Sequence, residues 1–285
     1  MELNHLKTFQ TIATHHSFSK AAEELHLTQP AVTLQMKNLE TELGELLIDR
    51  VARSINLTPA GEVFLSYTQQ ILNLSEEAYQ TLQQFSSERG RLTIGAATTT
   101  TIFRLPEILH HYHEKHPKIE IHIRNGASNL VNKMVHENAV DLGLVTTIDL
   151  SLNLHTAPVF GDEIWLLAPS GYKAEIAAEE LEKESLILFG SGSGFRRFLE
   201  DQFQQYHFVP KVSMELESIE GIIRFVQMGL GLAFLPEIAV REEVIRGSLK
   251  KVKICGWNIM TRKTFLIYRR DKYLNWPVKA FLNCL

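Results

Sequence analysis

Two cysteines in 285 residues, Cys255 and Cys284, are too few for a disulfide framework, and their spacing fits no metal-ligand pattern. No window approaches the roughly 18 consecutive apolar residues of a transmembrane helix. The opening Met-Glu-Leu-Asn-His-Leu-Lys has no basic stretch ahead of an apolar core. No secretory leader is expected there, and the cytoplasm is the expected compartment. Positive charge is also in short supply, with 29 Lys and Arg against 33 Asp and Glu for a formal −4. That balance argues against a protein that coats nucleic acid without specificity, though not against a locally placed binding face. What remains is an ordinary globular composition, 45% apolar and 22% charged, in a chain long enough for two or three domains.

The first ninety residues are helical in pattern. Leu6, Phe9 and Ala13 share one face, and Phe18, Ala21, Ala22 and Leu25 form a second stripe capped by the serines Ser17 and Ser19. The adjacent alanines let a neighbouring helix come close. After a turn at His26–Gln29, Thr28 can cap a third helix, and Pro30 sits in its first turn, where a missing N–H costs nothing. This helix is expected to bury Val32, Met36, Leu39 and Leu43 and to expose Pro30, Thr33, Leu34, Lys37 and Thr41. Three short helices with a tight turn before the third describe a helix-turn-helix. Two short apolar runs, Leu46–Ile48 and Ile55–Leu57, flank Arg50 and Arg53 and read as a wing hairpin. Thr58-Pro59 then starts a long helix. Its stripe of Phe64, Tyr67, Ile71, Leu74, Ala78, Leu82 and Phe85 points to pairing with a second copy.

At this point the sequence resembles a known family. "SFSKAAEELHLTQPAVTLQMKNLETELG" and "LLIDRVARSINLTPAGEVF" are similar in order and spacing to the DNA-binding domain of LysR-type transcriptional regulators, over residues 1–65. The resemblance implies a winged helix-turn-helix over 1–58, a linker (dimerisation) helix and hinge over 59–90, and an effector domain over 91–285. It also implies that the third helix enters the major groove of double-stranded DNA at a partly symmetric operator. The positions that match are Gln29, Pro30, Ala31, Thr33, Leu34 and Lys37. Gln29 can bond an adenine edge, and Thr33 and Leu34 can set methyl groups against thymine. Lys37, Ser17, Ser19, Arg50 and Arg53 would hold phosphates. Leu34 departs from the family, where the position is more often polar or basic, so an apolar contact is expected there. Five basic residues against eight acidic ones through residue 65 leave −3. Affinity is therefore expected to come from self-association and groove fit, with a salt slope of about −4 to −5. A dimer through the linker helix, a tetramer of such dimers and contact with RNA polymerase are the partners the family implies.

Beyond the polar stretch Ser86–Gly90, strands and helices alternate, which implies an α/β architecture. The resemblance implies two lobes like those of periplasmic binding proteins. Residues 91–160 with 265–285 would form one and 161–264 the other, the chain crossing near Phe160-Gly161 and returning near Lys263-Thr264. Ligands in such sheets lie beyond the carboxyl ends of strands, at helix starts. Three segments fit. Ala97, Thr98, Thr99 and Thr100 follow one strand. Ser191, Ser193 and Gly194 follow another, with Arg196 or Arg197 as a charged clamp. Ser218 precedes a third helix, with Thr146 and Thr147 nearby. Hydroxyls, amides and an arginine suit a small anion, although ordinary strand-to-helix turns carry the same residue types.

The glycine run Gly190–Gly194 is not followed by Gly-Lys-Ser/Thr and misses G-x-G-x-x-G, so a nucleotide or dinucleotide site is not expected there. "HHYHEKHP" lacks the HExxH order, so a solvated histidine face is expected there rather than a metal site. No nucleophile with a sequence-indicated base and no cofactor site is evident. An effector-modulated regulator is the leading function. A solute-binding or enzymatic module fused to a helix-turn-helix is the alternative. The expected lack of a leader and the fused helix-turn-helix speak against the first, and catalytic turnover of the bound compound would reveal the second.

Overall fold

The computed structural model describes residues 1–49, 55–84 and 90–285. The chain divides into two compact units, 1–90 with 137–139, and 91–136 with 140–285.

In the first unit the expected helices form as α1 (Leu3–His15), α2 (Phe18–Glu24) and α3 (Gln29–Leu43). Ser17 caps α2 through the Lys20 N–H, and Thr28 caps α3 through the Ala31 N–H, with Pro30 in the first turn. Their apolar stripes meet in one core that includes Leu6, Phe9, Phe18, Val32 and Met36. Ala21 and Ala22 are both buried in it, so α1 and α3 pack closely around α2. Leu43 corrects the expected stripe: it is exposed, because the core skips from Leu39 to Leu47 and α3 ends at Gly44. Gly44 takes the left-handed φ of 73° that closes the helix. Glu40 Oε1 accepts from the Leu47 and Ile48 N–H groups, tying β1 (Ile48–Asp49) to α3. β1 pairs antiparallel with β2 (Asn56–Leu57). The wing arginines Arg50 and Arg53 lie outside the described residues, as does Phe85.

α4 (Pro59–Gln84) begins at Thr58, whose hydroxyl accepts from the Gly61 N–H. A side chain at Gly61 would collide with the Leu47 carbonyl, so the helix start is seated directly on the wing. The expected single stripe on α4 divides in two. Phe64, Leu65, Ile71 and Leu72 pack on the helix-turn-helix core, with the Phe64 ring 5.6 Å from that of Phe9. Val63, Tyr67, Leu74, Tyr79 and Leu82 are exposed. A 3.6-residue repeat run over seven turns rotates a near-heptad pattern past a fixed neighbour, and that produces the split.

The second unit is an α/β structure. Its main sheet has the order β4-β3-β5-β12-β6-β11-β7, with β10 added beside β6. The strands are β3 (Gly90–Ala96), β4 (Ile119–Asn125), β5 (Leu142–Val145), β6 (Leu154–Pro169), β7 (Glu175–Ile176), β10 (Ala233–Pro236), β11 (Leu249–Ile254) and β12 (Met260–Arg269). β3 and β5 are parallel. Two long strands, β6 and β12, pair antiparallel from Met260 opposite Ile164 to Arg269 opposite Leu154, with Lys263 opposite Gly161 and Thr264 opposite Phe160. The register shifts between Thr264 and Phe265, where the pair bends. A second parallel pair, β8 (Leu186–Phe189) with β9 (Val212–Leu216), lies beside β10 through the Leu186–Leu232 bridge.

The helices are α5 (Thr98–Phe103), α6 (Leu105–Lys115), α7 (Ser128–His136), α8 (Ala178–Leu181), α9 (Gly194–Gln205), α10 (Ile219–Gln227), α11 (Arg241–Ile245) and α12 (Trp276–Leu282). Separate apolar cores lie under them. One is built around Tyr112, Leu144 and Phe281, another around Leu199, Phe203 and Phe234, and a third around Ile222, Val226 and Leu235. Burial of Tyr112, whose hydroxyl donates to the Pro277 carbonyl at 2.9 Å, pushes its pKa up. Among the described residues no helix is long and apolar enough to cross a membrane.

Candidate functional site

The exposed side of α3 carries Gln29, Pro30, Leu34 and Lys37, with Ala31 and Thr33 half-exposed beside them. Val32, Met36 and Leu39 occupy the core side. Two hydrogen bonds decide what this face presents. Ser19 Oγ donates to Gln29 Oε1 at 3.3 Å, holding the amide near the start of α3. Thr33 Oγ1 donates to the Gln29 carbonyl at 2.9 Å, so its hydroxyl turns back on the helix and its methyl faces away. Leu34 is 58% exposed with no core function. The face therefore offers one oriented amide, one ammonium and a small apolar patch. Ser17 Oγ accepts from the Lys20 N–H as the α2 cap, which leaves its hydroxyl hydrogen to donate to a phosphate.

In the second unit, the starts of α5, α7, α9 and α10 open on one cavity of about 890 Å³. Each follows a strand end, and each leaves its first N–H groups without acceptors inside the helix. Ala97, Thr98 and Thr99 line it from α5, Thr146 and Thr147 from the end of β5, Ser193 and Gly194 from α9, and Ser218 from α10. Asn132 holds the β5 end in place: its Nδ2 donates to the Ser128 and Thr147 carbonyls, and its Oδ1 accepts from the Asp149 N–H.

Three expected residues are elsewhere. Thr100 is buried and does not reach the cavity. Ser191 is exposed and does not line the cavity, whereas Gly192 and Ser193 do. Arg196 faces the core, three and seven residues ahead of buried Leu199 and Phe203. Its guanidinium donates to Glu200 at 2.7 Å, to Glu215 at 3.0 Å and to the Phe189 carbonyl at 3.2 Å. One helical step further, Arg197 lines the cavity instead.

The central cation is one that motif reading missed. Arg262, on β12, donates from Nη2 to Thr146 Oγ1 at 2.6 Å. Its guanidinium lies 5.0 Å from the Phe195 ring centre and 5.9 Å from that of Phe198. A side-chain carbon at Gly194 would sit 3.9 Å from the same Nη2. Arg262 thus spans from the end of β5 to the start of α9. Burial lowers its pKa to about 10, with Asp162 opposing the shift, so it stays cationic near neutral pH. Asp162 itself is engaged by Arg104, through Nε at 3.1 Å and through Nη2. A lone arginine inside a strand, 116 residues from its partner threonine, carries no local signature.

The HHYHEKHP segment is surface helix. His110, His111 and His113 are exposed, and His116 packs edge-on against Tyr112 and Trp276.

A fold of this kind, a winged helix-turn-helix with a long helix and a cleft-bearing α/β unit, defines a ligand-responsive DNA-binding protein. Comparison with known proteins identifies the family. Residues 3–62 match the bacterial regulatory helix-turn-helix of the lysR family, and residues 86–285 match the LysR substrate binding domain. The chain is 31% identical to an uncharacterized HTH-type transcriptional regulator, YwqM of Bacillus subtilis, over 99% of this chain and 98% of that one. It is 34% identical to a probable RuBisCO transcriptional regulator of Thalassiosira pseudonana, over 99% and 95%. The fold is shared with full-length OxyR of Pseudomonas aeruginosa (TM-score 0.74, 24% identity, 100% and 94% coverage). It is shared also with CbnR solved with its target DNA (TM-score 0.73, 20% identity, 100% and 98% coverage). The chain belongs to the LysR family of transcriptional regulators. It is a DNA-binding regulator with an effector domain and not an enzyme. Regulators of this family bind DNA and small-molecule effectors and oligomerise.

Proposed function

We propose that residues 1–58 read a partly symmetric operator through α3, that residues 59–90 pair two copies, and that residues 91–285 hold a small anionic effector. The effector domain is taken as two lobes, 91–160 with 265–285, and 161–264. The observation that carries the effector assignment is Arg262, an enclosed guanidinium whose nearest acceptor is a neutral hydroxyl, in a cavity ringed by four helix starts. Helix starts and an under-neutralised arginine both favour negative charge. Thr98, Thr99, Thr146, Ser193 and Ser218 add hydroxyls to the same space.

On the DNA side, Gln29, Thr33, Leu34 and Lys37 contact the groove, Ser19 orients Gln29, and Arg50 and Arg53 hold phosphates. The exposed Tyr67, Leu74 and Leu82 of α4 form the pairing surface. Because β6 and β12 are paired over a long register with a shift at Thr264/Phe265, a ligand that binds one bend of that pair better than another shifts the arrangement it favours.

A thermal-shift screen of the purified chain against small organic acids and phosphate esters tests the assignment. A ligand that binds only the native state must raise its melting temperature. Thr99→Ala should reduce that rise while DNA affinity without ligand stays unchanged. A joint loss of both functions would contradict the separation of roles.

A further inference from the structure

We propose that this cavity selects effectors carrying a single anionic group, with the rest of the molecule neutral or cationic, and discriminates against bis-anionic ones. The proposal rests on the effector-site reading above and deepens it.

Among the described residues, the cavity's charged lining consists of two cations, Arg197 and Arg262, and three carboxylates, Asp149, Glu217 and Glu220. The cations are not equivalent. Arg197 is exposed, whereas Arg262 is enclosed by Phe195, Phe198 and Thr146. Only Arg262 offers a charge sheltered enough to anchor an anion strongly, since Coulomb attraction weakens steeply with access to water.

The carboxylates come from different places. Asp149 follows β5, while Glu217 and Glu220 flank the start of α10. Asp149 accepts from the Ser151 hydroxyl at 2.6 Å and its N–H at 3.0 Å, and Glu220 accepts from the Ser218 hydroxyl at 2.8 Å. Neutral donors of this kind stabilise the ionised form and leave its negative charge in place. The Ser151 bonds hold the Asp149 pKa below its usual range. A ligand whose first anion sits at Arg262, between Thr146 and Gly194, therefore extends its remainder into a space with carboxylates on both sides. An ammonium or hydroxyls suit that space. A second phosphate or carboxylate would have only exposed Arg197 to meet.

The test uses matched probes that differ by one anionic group: glutamine against glutamate, lactate against malate, and fructose 6-phosphate against fructose 1,6-bisphosphate. Each is titrated into the full-length chain to tens of millimolar by thermal shift, with acetate as the minimal anion. At these concentrations even weak occupancy of Arg262 registers. The single-anion member of each pair that binds should bind more tightly, and Arg262→Gln should abolish every shift. Arg262→Lys, which keeps the charge, should restore part of it. The combined variant Asp149→Asn, Glu217→Gln and Glu220→Gln should improve binding of the two-anion members by about tenfold, as expected for removing repulsion in a partly solvated site. A preference for the two-anion members, or a combined variant with an unchanged ratio, overturns the charge assignment alone. A wild-type chain that responds to no probe, acetate included, overturns the effector-site reading and this inference together.

Discussion

Arg262 Nη2 stands 2.6 Å from Thr146 Oγ1, while Arg196, two residues into α9, makes three hydrogen bonds on the opposite side of that helix start. These two arginines predict opposite phenotypes. Arg196→Ala removes three hydrogen bonds from a buried guanidinium and should cost about 1.5–3 kcal/mol of stability, as for hydrogen bonds to a charged group. Its ligand-induced shift should persist. Arg262→Ala should cost little stability, about 1 kcal/mol or less, because a partly desolvated cation with one neutral partner is poorly compensated to begin with. Its ligand response should vanish. Denaturant melts of both variants, with and without a stabilising probe, separate the two outcomes.

The apolar patch formed by the Thr33 methyl and Leu34 predicts that thymine methyl groups are read. Operators selected from random DNA should lose affinity when a contacted thymine is replaced by uracil, by about 0.8 kcal/mol per methyl. Leu34→Ala should show a smaller penalty for that replacement, since only the Thr33 methyl of the patch remains. An equal uracil penalty in both proteins would place the methyl contact elsewhere.

Gln29, oriented by Ser19, should set base preference without setting most of the affinity. Gln29→Ala is expected to lower discrimination at one position per half-site by about 1–3 kcal/mol. Ser19→Ala should produce a smaller loss at the same position, since the amide is then held only by its own helix. Competition binding with single-base operator variants measures both, and loss at unrelated positions would count against the orientation.

The exposed face of α4 makes a prediction about assembly. Tyr67→Asp with Leu74→Asp places two charges where two apolar side chains are exposed, without touching Phe64 or Ile71, which pack on the core. Sedimentation should show a smaller species with an intact fold by circular dichroism. Its DNA binding should weaken sharply, since the domain through residue 65 carries a formal −3 and has little bulk attraction to fall back on. An unchanged oligomer would remove α4 as the pairing surface.

The helices of the first unit were legible because their signals are local. Ser17, Thr28 and Pro30 mark starts, and the spacing of Phe9, Val32 and Met36 marks the buried faces. Leu43 and α4 were misread where a repeat continues beyond the neighbour that buries it, which a sequence does not display. The strands around β5, β8 and β9 were legible from apolar runs of matching length. The short α5, α8 and α11 and the closing α12 were not, since a helix of few residues has no period to detect. At the cavity, hydroxyl-rich turns after strands were found by composition. Which of Arg196 and Arg197 turned inward depended on the phase of α9. Arg262 depended on a strand pairing that no local motif encodes.

The proposed coupling of an occupied cavity to DNA binding runs through Arg262. Fluorescence anisotropy of a selected operator should be measured with wild-type chain and Arg262→Gln, each with and without the single-anion probe that stabilises the wild type. Matching affinities without probe, with a probe-dependent change in the wild type alone, is the predicted result. A probe-dependent change that survives in Arg262→Gln would contradict it.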